Sequence, residues 1–219
     1  MMQATHKAAA LTPWLRWFFL AAILLTLAGY WGPWVPHPVS GLVVTGLDLG
    51  EYVKFLPQVR GGQIALWREG FYLPLVAVSL AASVAAFQER LRYWWLLRAL
   101  LLALAVIAAL NLLPPAWDQG TFTNPEFRQQ MIALGLCLFV MGTSPLWALV
   151  PRWATAGSVV VLSLGALWFP LRGFFLVLPP IRELYQEPLA VGWGLIVMVI
   201  GLLLLSAVHA IELFSYRTK

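Results

Sequence analysis

The sequence predicts an all-α protein, a polytopic transmembrane bundle of about six spanning helices with short amphipathic interfacial helices on the outer side. Three observations carry this expectation. Hydrophobic residues fill 61% of the 219 positions and charged residues only 11%, which leaves too little polar surface to cover a soluble globule of this size. The charges are bunched, so runs without Asp, Glu, Lys or Arg extend over Trp17 to Leu47, Gly70 to Gln88, Ala99 to Trp117, Gln129 to Pro151, Trp153 to Leu171 and Pro188 to Ile211. A helical crossing of the hydrocarbon takes about 20 such residues. The runs lack strand-like alternation, and backbone groups in lipid must be satisfied within the fold, which leaves helices.

The expected spans lie near residues 14–35, 70–88, 94–113, 129–150, 153–171 and 189–213 of a single integral membrane domain. The first could be taken for a secretory signal, since Lys7 and Arg16 precede an apolar run and "TLAG" (Thr26 to Gly29) loosely fits a small-residue cleavage site. The aromatic-rich "GYWGPWVPHP" that follows suits an exit into the outer interface, so an uncleaved spanning helix is expected.

The loop 36–69 contains "TGLDLGEYVKFLPQV" (Thr45 to Val59), the most polar patterned stretch of the chain. Asp48 is expected to be the N-cap of a short helix over 49–56, with Glu51 completing a capping box and Leu47 and Tyr52 as its hydrophobic staple. Pro57 stops that helix. Leu49, Tyr52, Val53 and Leu56 then form one apolar face, while Glu51 and Lys54 point elsewhere. Capping accounts for both acids; a site role, with the segment as a lid, is the competing reading.

The second span carries Ala77, Ala81 and Ala85 on one stripe and Ser79 and Ser83 on another, spacing that permits close helix packing. Gly157, Val161 and Gly165 repeat the pattern in the fifth span, and Gly194 and Met198 less cleanly in the sixth. In the third span Arg98 can snorkel to the inner surface, and Asn111 lies near the outer end. "GTSP" (Gly142 to Pro145) predicts a kink in the fourth, where Thr143 and Ser144 can bond the freed carbonyls. The fifth is expected to end or kink at Pro170, with Arg172 reaching the outer interface and Phe174 to Leu178 skimming or re-entering it. Beyond Pro179 and Pro180, residues Ile181, Leu184 and Tyr185 predict a second amphipathic cap.

His209 and Glu212, three apart on the last span, share a face and make the most chemical-looking pair. With only His6 and His37 elsewhere, no three-ligand metal set is expected, and no cofactor motif is present. The single cysteine, Cys137, allows no intrachain disulfide.

Orientation rests on basic residues near the span ends. Lys7, Arg16, Arg90, Arg92, Arg98, Arg152, Arg217 and Lys219 fall on the side of the termini, and Lys54, Arg60, Arg68, Arg128, Arg172 and Arg182 on the other. Both termini are therefore expected in the cytoplasm of a multi-pass cell-membrane protein. The net charge of +5 is topological, and no basic, aromatic-interleaved patch points to nucleic acid. The expected partners are the lipid bilayer and other membrane protein subunits.

Without a nucleophile elbow, phosphate loop or dense aspartate cluster, the expectation leans away from an enzyme. The first functional expectation is a non-catalytic integral subunit of a bacterial-type inner-membrane assembly, the membrane component of a transport system that draws energy from a partner. A structural or assembly subunit of an energy-converting complex is the second, and a membrane-embedded lipid-processing enzyme the third. Candidate functional or partner-facing residues are Asp48, Glu51, Ser144, Arg172, His209 and Glu212.

Overall fold

The computed structural model describes residues 13–88, 91, 93–115 and 117–217. Helices dominate: α1 (Pro13–Trp31), α2 (Gly46–Tyr52), α3 (Pro57–Arg60), α4 (Leu73–Ala85), α5 (Trp95–Leu110), α6 (Arg128–Gly142), α7 (Arg152–Tyr185) and α8 (Trp193–Arg217). A two-strand antiparallel ribbon, β1 (Pro33–Val35) with β2 (Val44–Thr45), pairs Pro33 with Thr45 and Val35 with Val44.

Three helices are long and apolar enough to cross a membrane: Trp14–Trp31 of α1, all of α7, and Trp193–Phe214 of α8. The expectation of six continuous spans is met in part. α4, α5 and α6 have 13, 16 and 15 residues, hence rises of about 20 to 24 Å. Prolines set their limits. Pro74 starts α4 after a 3-10 run over Arg68–Tyr72, and Pro114 follows the end of α5. Pro145 converts the continuation of α6 into a 3-10 run over Ser144–Leu149. There Thr143 Oγ1 donates to the Phe139 carbonyl at 2.7 Å, while Ser144 donates to the Ser83 carbonyl of α4.

α7 departs from expectation. It continues for 34 residues through Pro170, Pro179 and Pro180, so the end at Pro170, the separate Phe174–Leu178 piece and the separate cap beyond Pro180 are corrected to one helix. A proline inside a helix costs about 3 kcal/mol. Here Phe174, Val177, Leu178 and Ile181 are all buried on one stripe, and this packing outweighs the lost backbone bonds. The helix stops at Gln186, whose φ of 55° and ψ of 28° give a left-handed cap.

The closest helix contact joins α1 and α8. A Cβ on Gly29 would lie 2.1 Å from the Met198 backbone nitrogen, and one on Gly201 would lie 2.5 Å from that of Thr26. Small residues thus let the two backbones touch. By contrast, a Cβ on Gly157 or Gly165 of α7 would meet nothing within 4 Å, and Val161 between them is 72% exposed. The stripe expected to close-pack in the fifth span faces outward instead. α4 fulfils the central role its alanines and serines suggest, since Ala77, Ala81, Ala85, Ser79 and Ser83 are buried and α4 touches α1, α5, α6 and α7.

At the end of the bundle where α1 and α5 finish and α4 and α6 begin, the loop 36–69 folds back over the helices. Trp34 of β1 anchors it. Fully buried, its ring meets Tyr30, Phe71 and Phe174 edge-on at 6.1, 6.3 and 5.9 Å, and its indole donates to the Gly29 carbonyl at 3.1 Å. The end of α7 clasps the same loop, as Tyr185 donates to the Leu42 carbonyl at 3.0 Å and Gln58 to Glu183 at 3.3 Å.

Candidate functional site

The position of Asp48 follows from where α2 starts. Thr45, extended at φ −91° and ψ 175°, is the N-cap. Its hydroxyl accepts from the Asp48 N–H at 3.3 Å, and Asp48 Oδ2 accepts from the Thr45 N–H at 2.9 Å and hydroxyl at 2.8 Å. The capping box is real but sits three residues earlier than expected, so Asp48 fills its third position and is not the N-cap. Threonine is also a good cap, and the Asp48 carboxylate close to the helix start suits the macrodipole. Accordingly, Thr45→Ala is expected to cost about 0.5–2 kcal/mol while Thr45→Ser costs far less. Thermal unfolding in detergent reads this, and equal losses in the two variants would contradict the box.

The shift releases Glu51 from capping. Its Oε1 accepts from the Tyr72 hydroxyl at 3.0 Å and its Oε2 from the Lys54 ammonium at 2.7 Å. Lys54 also reaches Glu126 Oε1 at 3.1 Å, and Arg68 donates to that same oxygen at 3.1 Å, to the Glu126 carbonyl at 3.0 Å and to Glu69 at 3.3 Å. Three carboxylates and two cations thereby tie the segment around the end of α2 to the starts of α4 and α6. Burial works against the Lys54 charge, but hydrogen bonds to Glu51 and Glu126 outweigh it and raise its pKa. Hydrogen bonds from Lys54 and Arg68 hold the Glu126 carboxyl below its ordinary value. Tyr52 is pushed up to about 12 by burial and by its neighbour Tyr185.

Beside this network lies an open pocket of about 700 Å³. Asp48, Glu51, Tyr52, Phe55 and Tyr72 line one wall, and Leu110, Asn111, Leu113 and Trp117 line the wall formed by the end of α5 and the chain beyond it. Polar groups converging in a largely apolar recess have the makeup of a small-molecule site.

Of the six residues singled out from the sequence, only Asp48 and Glu51 meet here. Ser144 is buried in the bundle as a helix-to-helix donor. Arg172 stands exposed on α7. His209 and Glu212 are buried near the far end of α8, where His209 Nδ1 lies 2.9 Å from the Leu205 carbonyl and its ring meets Phe19 edge-on at 5.5 Å. Among the described residues no three His, Cys, Asp or Glu side chains gather as metal ligands. Lys54, Arg68, Tyr72 and Glu126 are the site residues that sequence reasoning missed. Their one signal was that Lys54, Arg68 and Glu126 all fall in connecting segments on the same side of the predicted spans.

No protein-family model, no curated protein and no solved structure matches the chain.

Proposed function

We propose that this chain is the membrane component of a transport assembly, non-catalytic by itself and energised by a partner, with the pocket beside α2 as its ligand site. The observation that carries the reading is that pocket, with its acids, phenols and amide beside an ion-paired network that holds Glu51. A solid bundle serving only as scaffold has no need of it. In this reading the chain crosses the membrane six times. Two sets of exposed tryptophans support that count: Trp14, Trp17, Trp94, Trp95 and Trp153 at one end, and Trp31, Trp67, Trp117, Trp168 and Trp193 at the other. Along α1 and α7 the two sets stand about 22 to 26 Å apart, close to the rise of α5 and α6, so the shorter helices fit the same slab.

One face of α6 and one face of α7 also favour a partner. Gly135, Gly142, Gly157 and Gly165 all open onto empty space there, and Ile132, Phe139, Val161 and Trp168 are exposed beside them. A partner helix or lipid fills such a face. This is also the observation that favours the second reading, a structural subunit of an energy-converting complex. Extraction in mild detergent followed by size-exclusion chromatography and mass spectrometry separates the two. Transport predicts a stoichiometric nucleotide-hydrolysing or ion-coupled partner whose turnover changes the maleimide reactivity of Asn111→Cys. A chain without such a partner, or with an Asn111→Cys reactivity that never changes, refutes it.

With both termini in the cytoplasm, as the basic residues suggest, cysteines placed at Ser40 and Gln119 are expected to label from outside intact cells. A cysteine at the exposed position Arg152 is expected to stay silent until the cells are opened. The reversed pattern inverts the orientation. Gln88 is buried and unsuited to this test, since burial alone would protect it.

A further inference from the structure

The pocket beside α2 has a chemical bias that narrows what it can hold. Two carboxylates line it and no Lys, Arg or His does. Asp48 commits Oδ2 to the capping box, which leaves Oδ1 to the pocket side. The Asn111 side chain gives one N–H to the Ile107 carbonyl at 2.8 Å and keeps its own oxygen as an acceptor at the pocket. The Tyr72 hydroxyl donates its hydrogen bond to Glu51. Along the opposite wall α5 ends at Leu110, so the partially negative end of that helix borders the recess, with its Ile107, Ala109 and Leu110 carbonyls already accepting from the backbone N–H groups of Asn111, Leu112 and Leu113. Lys54 is held by Glu51 and Glu126 outside the lining. Tyr52 and Trp117 add aromatic rings to the lining, as does Phe55, whose ring already has the Lys54 ammonium 5.4 Å from its centroid. Leu110 and Leu113 supply an apolar floor level with the Trp117 end of the bundle.

We infer that this pocket binds an organic ammonium ion carrying an apolar body, its N–H groups or positive charge received by Asp48 and Glu51 and its apolar part by Leu110, Leu113 and Trp117. Anions find no cationic side chain in the lining. A neutral ligand would cover the Asp48 carboxylate without bringing it a counter-charge, whereas Glu51 already has Lys54. The inference rests on reading the pocket as a ligand site and adds the class of ligand. A free amine and the ammonium headgroup of a lipid share this chemistry.

Isothermal titration of the full-length protein in a nonionic detergent, with 2-phenylethylammonium against 2-phenylethanol, tests the class. Saturable binding of the amine is expected, with the alcohol weaker by about tenfold or more, the scale of one charge-assisted hydrogen bond. Asp48→Asn keeps an oxygen for the capping box and is expected to weaken the amine by a similar factor, about tenfold. Glu187→Gln, an exposed acid outside the lining, is expected to leave binding unchanged. Equal affinity for amine and alcohol, indifferent to Asp48→Asn, overturns the ammonium assignment but leaves a ligand pocket. Binding of neither, with Asn111→Cys equally reactive in every condition, overturns both. Native mass spectrometry from nanodiscs separates the sources. Selective retention of phosphatidylethanolamine, displaced by added amine, identifies a lipid headgroup. Amine binding that phosphatidylethanolamine does not compete with identifies a free amine. Preferential retention of phosphatidylglycerol, lost in Asp48→Asn, overturns the inference.

Discussion

Gly29→Ala is expected to lower the unfolding temperature of the protein sharply, while Gly157→Ala leaves it unchanged or raises it. Both substitutions add one methyl group to a glycine in an apolar helix, and only the surroundings differ. At Gly29 the new Cβ would lie 2.1 Å from the Met198 nitrogen and 2.6 Å from the Gly194 carbonyl oxygen, which are backbone atoms that no rotamer change can move. The two helices must separate along their whole contact, and overpacking of this kind costs about 1–3 kcal/mol or more. At Gly157 nothing lies within 4 Å. Alanine there gains helix propensity worth up to about 1 kcal/mol. Circular-dichroism melts in one detergent suffice. Similar melting temperatures for the two variants would mean that α1 and α8 do not cross as closely as described. If α7 docks against a partner, Gly157→Ala acquires a cost only in the assembled complex.

That contrast shows where the sequence was legible. Spacing of small residues marks helices capable of close approach, and for α4 the inference succeeded because its alanines are flanked on every side by other helices. Spacing alone does not say which stripe finds a partner within the chain. Gly157 and Gly165 carry the cleaner pattern, yet the tight crossing belongs to Gly29, Gly32, Gly194 and Gly201. The chain ends bring α1 and α8 together, a long-range fact with no local trace. The prolines of α7 mislead for a related reason. Local rules count the lost N–H, whereas the compensating burial of Phe174 depends on Trp34, more than a hundred residues upstream.

The pocket was half legible. Periodicity placed Leu49, Tyr52, Val53 and Leu56 on one apolar face; Leu49, Val53 and Leu56 are buried, while Tyr52 is half-buried and lines the pocket. The capping box was recognised by its chemistry but assigned to the wrong pair, because Thr45-x-x-Asp48 and Asp48-x-x-Glu51 overlap in one stretch and satisfy the same spacing. Choosing the later pair hid the more useful residue. A Glu51 engaged in capping has no other role, whereas a Glu51 free of it meets Lys54 and Tyr72 at the edge of the pocket. Its partnership with α6 runs through Glu126, which in sequence is only one acid of a distant loop.

The network itself yields the other large effect. Arg68→Gln is expected to destabilise the protein by about 1–3 kcal/mol, the range for lost hydrogen bonds between charged groups. Arg68 is only 13% exposed and bridges Glu69 to both the carboxylate and the carbonyl of Glu126. Glutamine cannot span these acceptors, and Glu69, itself 19% exposed, is left without its cation. Glu126→Gln is expected to cost less at neutral pH, because Glu126 is 45% exposed and Arg68 keeps Glu69 and the Glu126 carbonyl. Its signature lies in the pH profile. The Glu126 carboxyl is held below its ordinary value of 4.5 by hydrogen bonds from Lys54 and Arg68. Its contribution is therefore full above that value and disappears as pH falls through the lowered native one. Lys54 behaves oppositely. Burial disfavours its charge, but bonds to Glu51 and Glu126 raise its pKa above 10.5, so its contribution is full below 10.5 and lost as pH rises through the raised value. Thermal melts from about pH 3 to about pH 11 are expected to show a plateau that falls at both edges, with Glu126→Gln flattening part of the acid edge. Wild-type and Glu126→Gln profiles that superimpose on the acid side, together with an Arg68→Gln variant as stable as wild type, would show that the ion pairs decorate the pocket without holding it.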